Sequence, residues 1–303
     1  MKALVVGYGS IGARHVSLLE KLGLQVAVVS RRAVPIQNLF TSIGAALEKW
    51  APDYVVIASR TIEHREDVEM LATAGFTGTV LIEKPIFQDV REIPKNLFNK
   101  IFVAYNLRFH PVIWDFKDLI GKGEVFAINS VVGQHLEGWR PQSDYRASYS
   151  ASWAQGGGVL NDLSHELDFL CWMLGGWNHV TAAGGKHSNL EIDSDDIFSV
   201  LMETPGCPVV NVHMNYLSSP PRREITAFTE RGTIEANLLT GILSINGKLK
   251  KYKQDRDDTY LKMHEAVLQA NTTNLCSVRD ALNVKLLIDA IEKAAASHAW
   301  VAR

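Results

Sequence analysis

The residues with the clearest chemical potential lie in one short stretch. Gly156-Gly157-Gly158 is followed closely by Asn161, Asp162, His165, Glu166 and Asp168. Glycines let a backbone approach a ligand closely. An imidazole has its unperturbed pKa nearest neutrality and is the usual proton-transfer group. If the segment is one helix, Asn161 and Asp162, four and three residues before His165, both fall on the imidazole's face. Only the carboxylate stabilises an imidazolium by charge, so Asp162 is preferred as its partner, with Asn161 as the alternative. The same composition fits a loop entering an ordinary helix, and its meaning depends on what the rest of the chain supplies.

A second reactive group is Lys84 in Glu83-Lys84-Pro85, directly after the strand-like run Thr79 to Ile82. A lysine at a strand's carboxyl end points into the crevice where open parallel sheets bind ligands. A third set lies in 134–155, dense in Trp139, Arg140, Asp144, Tyr145, Arg146, Tyr149 and Trp153. Aromatic faces stack on sugar rings and guanidiniums grip carboxylate or phosphate through paired donors, so this segment reads as a substrate loop.

The elements that must position these groups begin at the N-terminus. Lys2 to Val6 reads as a buried strand, runs into Gly7-Tyr8-Gly9-Ser10-Ile11-Gly12, and is followed by helical spacing over Ala13 to Leu22. Strand, glycine turn and helix in that order form the context of a dinucleotide site. Gly7 permits the turn, Gly9 lets backbone reach a diphosphate over Ser10 and Ile11 at the helix start, and Gly12 allows close helix packing. The next strand, Gln25 to Val29, ends at Ser30-Arg31-Arg32 with no acidic residue for a ribose, which favours NADP over NAD. A helix over Ile36 to Trp50, a strand over Tyr54 to Ala58, a helix over Glu66 to Ala74 and a strand over Ile101 to Tyr105 continue the alternation. Ser59, Thr61 and His64 follow one strand, and Asn106 and Arg108 another, all on the ligand edge; for Thr61 a helix cap and for His64 a surface position are the competing readings.

Composition bounds the class. The chain has 303 residues, 47% of them hydrophobic, and a net charge of −2. It is long enough for two cores and carries no basic footprint for nucleic acid or an anionic membrane. Cys171, Cys207 and Cys276 fit neither a disulfide framework nor a metal spacing, and no metal is expected. No apolar run is long enough to span a bilayer, and the first strand leaves no room for a leader, so a cytoplasmic location is expected. Beyond Gly121, strands at Glu124 to Gly133, His179 to Lys186, Asp196 to Glu203, Val209 to Tyr216, Glu224 to Thr229 and Gly232 to Asn237 read as a meander with one exposed face. Helices follow at Thr259 to Gln269 and, capped by Ser277, at Val278 to Ala296.

Taken in order, Gly7 to Gly12, Glu83-Lys84-Pro85, Tyr105-Asn106-Leu107-Arg108-Phe109-His110-Pro111, the glycine triplet and the His165 segment resemble the glucose-fructose oxidoreductase, inositol dehydrogenase and MocA (Gfo/Idh/MocA) family. The resemblance covers nearly the whole chain. It implies an α/β Rossmann domain with a doubly wound parallel sheet over 1–120. An α+β domain with a large, mostly antiparallel open sheet would follow over 121–303, binding substrate and joining a homo-oligomer. It implies that Lys84 faces nicotinamide and substrate, often through a cis Lys-Pro bond, and that Glu83, Asn106, Ser59 and His64 border the cofactor. The chain departs from the family pattern in having asparagine, not aspartate, four residues before the histidine.

The expected reaction is hydride transfer between nicotinamide and a hydroxyl or oxo carbon of a sugar, cyclitol or sugar-nucleotide-like substrate, in which His165 moves the proton and Lys84 holds the reacting oxygen. Arg108, Trp139, Arg140, Tyr145, Arg146, Tyr149 and Asn161 are the expected substrate contacts, and an anionic substrate would suit the arginines. The loop pattern resembles members of bacterial surface-sugar pathways. The competing reading is an NADP-binding regulator without turnover, which would need the glycines but not Lys84, His165 and Asp162.

Overall fold

The computed structural model describes residues 1–90, 100–139 and 141–303. Contacts divide the chain into two compact units: Met1–Phe109 with Arg256–Leu282, and His110–Asp255 with Asn283–Arg303. The sequence reading drew one boundary, between 120 and 121. In the contact division the chain re-enters the first unit at Arg256.

The first unit opens with β1 (Lys2–Val6), α1 (Ser10–Lys21), β2 (Gln25–Val29), β3 (Leu39–Phe40), α2 (Ile43–Trp50), β4 (Tyr54–Ile57), α3 (His64–Thr73), β5 (Thr79–Ile82) and β6 (Lys100–Val103). The four residues of β4 are all buried, as expected of a parallel strand covered on both faces. The helix expected from Ile36 starts later, at Ile43. Ser42 caps it by accepting the Ala45 amide at 3.3 Å, and Leu39–Phe40 instead pairs with Val28 and Val29.

The second unit contains α4 (Pro111–Ile120), β7 (Val125–Gly133), α5 (Val159–Asp162), α6 (His165–Leu174), β8 (His179–Gly185), β9 (Ile197–Thr204), β10 (Cys207–Asn215), β11 (Arg222–Thr229), β12 (Gly232–Asn237), β13 (Ile242–Ile245) and β14 (Lys248–Lys251). The chain then supplies α7 (Asp258–Leu268) and β15 (Cys276–Ser277), followed by α8 (Val278–Ser297) and β16 (Val301–Ala302).

The first sheet runs β15-β6-β5-β4-β1-β2-β3, parallel throughout except for the edge pair β15 and β6. Its core gathers Val5, Leu19, Val28, Val56 and Leu81 with Met263, Ala266 and Val267 of α7. Those last three recur at helical spacing, and each such burial is worth roughly 1.5–3 kcal/mol for the larger side chains. The second sheet runs β14-β13-β12-β11-β7-β10-β9-β8-β16. It is antiparallel except where β7 lies parallel to β10, so the expected meander is interrupted: β7, first in sequence, sits between β11 and β10. Burial alternates along β9 and β10, leaving one face exposed.

Candidate active site

The dinucleotide half is built at the carboxyl ends of β1, β2, β4 and β5. Gly7 has φ +94°, and a Cβ there would stand 2.6 Å from the Ala58 carbonyl oxygen; one on Gly12 would stand 2.2 Å from the Gly7 carbonyl oxygen. Both positions are closed to any side chain. At Gly9 nothing lies within 4 Å, and α1 starts directly after it with no acidic residue in its first turn. Two closed glycines, an open middle one and an unopposed helix dipole fit a bound diphosphate.

At the end of β2 the three expected residues divide. Ser30 Oγ accepts the Arg32 amide at 3.1 Å, and the Arg32 guanidinium donates to the Tyr8 carbonyl at 3.1 Å. Arg31 keeps 82% of its side chain exposed and pairs with Glu63 at 3.4 Å. Glu63 also accepts from Arg60 at 2.6 Å, which, as the first cause, holds its carboxyl below the ordinary range. A carboxylate does stand beside the end of β2 in space, that of Glu63, which precedes α3. Its signal was a carboxylate shortly after β4, two strands from β2 in the sheet.

Other expected cofactor residues are tied into the fold. Ser59 Oγ donates to Asp67 at 2.5 Å, and burial raises that carboxyl to about 6. His64, read as either a cofactor neighbour or a surface residue, is 1% exposed. Its Nδ1 stands 3.1 Å from the Ile86 carbonyl oxygen and its Nε2 3.2 Å from that of Ser59, and burial lowers its pKa. It braces the segment after Lys84. The Lys84-Pro85 bond is cis. Asn106 donates to Thr259 at 2.6 Å, and Arg108, 1% exposed, donates to Asp280 at 3.2 Å. Both link the short 3-10 turn Asn106–Phe109 after β6 to the returning segment 256–282, so the Arg108 fork bonds protein within the first unit.

In the second unit the glycine triplet is held as tightly. A Cβ on Gly157 would stand 2.2 Å from the Tyr149 carbonyl oxygen, and one on Gly158, at φ +114°, 2.1 Å from Asp195 Oδ1. The single helix expected through 161–168 is broken. α5 ends at Asp162, and α6 restarts at His165. Helical spacing therefore does not decide between Asn161 and Asp162, because Leu163 and Ser164 lie between the two helices. Asp162 is 7% exposed and accepts the buried Tyr216 hydroxyl at 2.7 Å, while the Asn161 amide donates to the Gly157 carbonyl at 3.4 Å. Burial first, then Asp162, pushes the Tyr216 phenol well above its ordinary range. His165 opens α6, half-buried, beside Glu166, whose carboxylate takes a two-point grip from Arg223 at 2.7 and 3.1 Å.

Asp195 and Tyr216 were missed by sequence reasoning. Asp195 accepts the Leu160 amide at 3.1 Å; burial raises it to about 6, with Asp162 adding to the rise. Both sit at strand ends of the second sheet, and only the adjacent Asp195-Asp196 pair hinted at them.

Of the expected substrate loop, Trp139 lies edge-on to Tyr216 at 5.2 Å between ring centroids, and so joins the Asp162 cluster. Arg146 is held by Asp144 at 2.9 Å and Glu191 at 3.0 Å; these bonds, Asp144 first, raise its pKa. The Tyr145 hydroxyl accepts the Glu191 amide at 3.3 Å, and Tyr149 is 38% exposed. Arg140 lies outside the described residues. Among the described residues no His, Cys, Asp or Glu group could hold a metal, and no helix is long and apolar enough to cross a membrane. The three cysteines are buried thiols outside any disulfide.

Comparison with known proteins places this geometry. Residues 1–98 match the model of an oxidoreductase family with an NAD-binding Rossmann fold, and residues 113–235 match the GFO/IDH/MocA C-terminal domain. A comparison with curated protein sequences gives no match. Among solved structures, the WlbA dehydrogenase from Bordetella pertussis, in complex with NADH and UDP-GlcNAcA, is 20% identical with a TM-score of 0.81, over 100% of this chain and 98% of that one. Levoglucosan dehydrogenase with NADH and levoglucosan is 16% identical with a TM-score of 0.84, over 100% and 99%. GenD2 from gentamicin A biosynthesis, in complex with NAD, is 21% identical with a TM-score of 0.81, over 100% and 96%. These likenesses are to the fold. With the two family models spanning most of its length, the chain belongs to the GFO/IDH/MocA oxidoreductase family.

Proposed function

We propose that the protein transfers a hydride between a nicotinamide cofactor, NADP in preference to NAD, and a hydroxyl or oxo carbon of a sugar, cyclitol or sugar-nucleotide-like substrate. The observation that carries the reading is the cradle at Gly7, Gly9 and Gly12, closed to side chains at both ends and open in the middle. Substrates named for the similar structures, UDP-GlcNAcA and levoglucosan, support the carbohydrate class. Arg31 supports NADP, since its guanidinium, 82% exposed, stands at the end of β2.

The nicotinamide supplies the redox chemistry, and the chain's residues do the rest. His165 takes the hydroxyl proton during oxidation and returns it during reduction. Lys84 donates to the reacting oxygen and stabilises its developing negative charge. Asp162, itself fixed by the Tyr216 hydroxyl, orients the imidazole and offsets its positive charge. Trp139, Tyr149 and Arg146 contact the sugar, with Arg140 and Asn161 beside them in sequence. A role in bacterial surface-sugar synthesis is consistent with this loop chemistry. The protein works as a homo-oligomer through the exposed face of the second sheet. Phe126 and Phe228 are 47% and 41% exposed there, beside a broad depression of about 540 Å³ lined in part by Asn129, Ser199, Asn211 and His213.

NADPH absorbance followed with a panel of oxo-sugars and sugar nucleotides tests the reading. Turnover of at least one, abolished by Lys84→Ala and by His165→Ala, is expected. Tight NADPH binding with no turnover on any member of the panel would establish the regulatory alternative instead.

A further inference from the structure

Four buried side chains of the first unit form a hydrogen-bonded chain that the proposed reaction does not use. The Tyr54 hydroxyl lies 3.0 Å from His264 Nδ1, His264 Nε2 lies 2.9 Å from His15 Nδ1, and His15 Nε2 lies 2.9 Å from Glu83 Oε1. The second carboxylate oxygen of Glu83 accepts the Lys84 amide at 3.1 Å. Tyr54, His15 and His264 are 0% exposed and Glu83 is 6% exposed. The members come from β4, α7, α1 and the end of β5, and no local pattern in the sequence links them.

The direction of every bond follows from one end. A carboxylate only accepts, so His15 donates from Nε2. A neutral imidazole with its proton there accepts at Nδ1, so His264 must donate from its own Nε2. His264 Nδ1 then accepts, and Tyr54 donates to it. Added charge is opposed along the way: burial, and then His15, holds His264 well below the ordinary imidazole range, while burial, and then Glu83, holds the Tyr54 phenol well above its own. The Tyr260 ring closes the remaining side of His15, edge-on at 5.6 Å.

We propose that Tyr54, His264 and His15 are positioning residues for Lys84: their one-way chain fixes the Glu83 carboxylate, whose other oxygen holds the peptide that carries the lysine. Only a carboxylate at position 83 accepts on both sides and so fixes the direction of the chain. A glutamine there offers one acceptor and one donor group, so it either turns its amide on Lys84 and strips that peptide of its acceptor, or turns it on His15 and reverses both imidazole tautomers. The consequence for turnover rests on the role proposed for Lys84, but the test below needs no turnover.

The full-length protein, labelled with 15N at histidine and lysine, is examined by NMR. Wild type should show His15 and His264 both as Nε2–H tautomers, with His264 not titrating from about pH 5 to 8. Tyr54→Phe should move the His264 nitrogens, then those of His15, and also the Lys84 amide signal, at unchanged NADPH affinity. Glu83→Gln should either reverse the tautomers of His15 and of His264 two links away, or keep them and accelerate solvent exchange of the Lys84 amide by about tenfold, the loss of one amide hydrogen bond; neither change would overturn the chain. An Nδ1–H tautomer or a protonated ring at His15 in the wild type would overturn the assignment. So would a Tyr54→Phe spectrum changed only at His264, which would make the contacts independent pairs. If Glu83→Gln does not fold, the wild-type tautomers and Tyr54→Phe decide alone. Failure of NADPH turnover would leave these outcomes untouched, so the two readings can fail separately.

Discussion

Glu63→Gln is the substitution that most sharply tests how the cofactor is chosen. Glu63 lies 3.4 Å from Arg31 and 2.6 Å from Arg60, so it neutralises part of the charge that would attract a 2′-phosphate. A phosphate seated on the free side of Arg31 would stand about 5–6 Å from that carboxylate. Coulomb's law in a water-like dielectric gives roughly 0.7 kcal/mol per unit charge at that distance, and the phosphate carries about −1.5 to −2. Salt screening over about 8 Å removes near half of the total, leaving a repulsion of about 0.6 kcal/mol. Arg31 is largely solvent-exposed, so no larger value is justified. NADPH should therefore bind about threefold tighter to Glu63→Gln, with NADH changed by less than about 1.5-fold. Arg31→Ala should weaken NADPH alone. Fluorescence titration of both reduced cofactors reads all four numbers. Arg60 holds the Glu63 pKa below its ordinary value, so lowering the pH toward about 6 does not imitate the variant; a change in the ratio there belongs to the ligand's own phosphate. Weakened NADH binding with unchanged NADPH binding would refute the reasoning, because Glu63 would then be the group that holds a free ribose hydroxyl.

Three further outcomes follow from the second unit. Asp195 has a folded pKa of about 6, raised from 3.8, so the folded state binds the extra proton and stability falls as pH rises through about 4 to 6; with 1.36 kcal/mol per pKa unit the cost above that window is at most about 3 kcal/mol. Asp195→Asn should flatten urea-unfolding stability across that range, and an unchanged slope would contradict the burial. Arg223→Met strands the 1% exposed Glu166 carboxylate and should cost about 3–5 kcal/mol, while Glu166→Leu with Arg223→Met together should recover most of it; equal losses for the single and double variants would show that the pair is not the cause. Gly158→Ala combines a backbone strain of about 1–2 kcal/mol with a Cβ 2.1 Å from Asp195 Oδ1, and should lower Tm by several degrees as well as turnover; a stable, active variant would mean the triplet tolerates side chains.

The first unit was readable because its signals are local. A β-branched run, a glycine turn and a helix follow one another within Lys2 to Leu22, and the sheet order then follows from alternating elements. The order of the second sheet was not readable, since the β7–β10 pair joins residues far apart in sequence, and alternation marks a strand without naming its neighbour. At the site, the glycines were legible as backbone constraints. The partners of charged side chains were not: Arg108 reads as a ligand fork and is turned to Asp280, and His64, read as either a cofactor neighbour or a surface residue, is buried among carbonyls. The break between Asp162 and His165 also escaped, because helical spacing continues through it while the hydrogen bonds do not.

The late return of residues 256–282 to the first unit has a consequence for synthesis. When the ribosome has released the glycine cradle and the strands beside it, the partners that α7 contributes to their core, Met263, Ala266 and Val267, have not been made, nor has His264. The dinucleotide half must wait with apolar surface uncovered while residues 110–255 of the second unit are translated, so contacts of long sequence separation finish what emerged first. A fragment ending at Phe109 would carry every residue of the nucleotide fingerprint and still lack a closed core. The helix that seals the nucleotide half is thus the step at which the nascent chain commits, and its delay marks the interval in which a chaperone has most to protect.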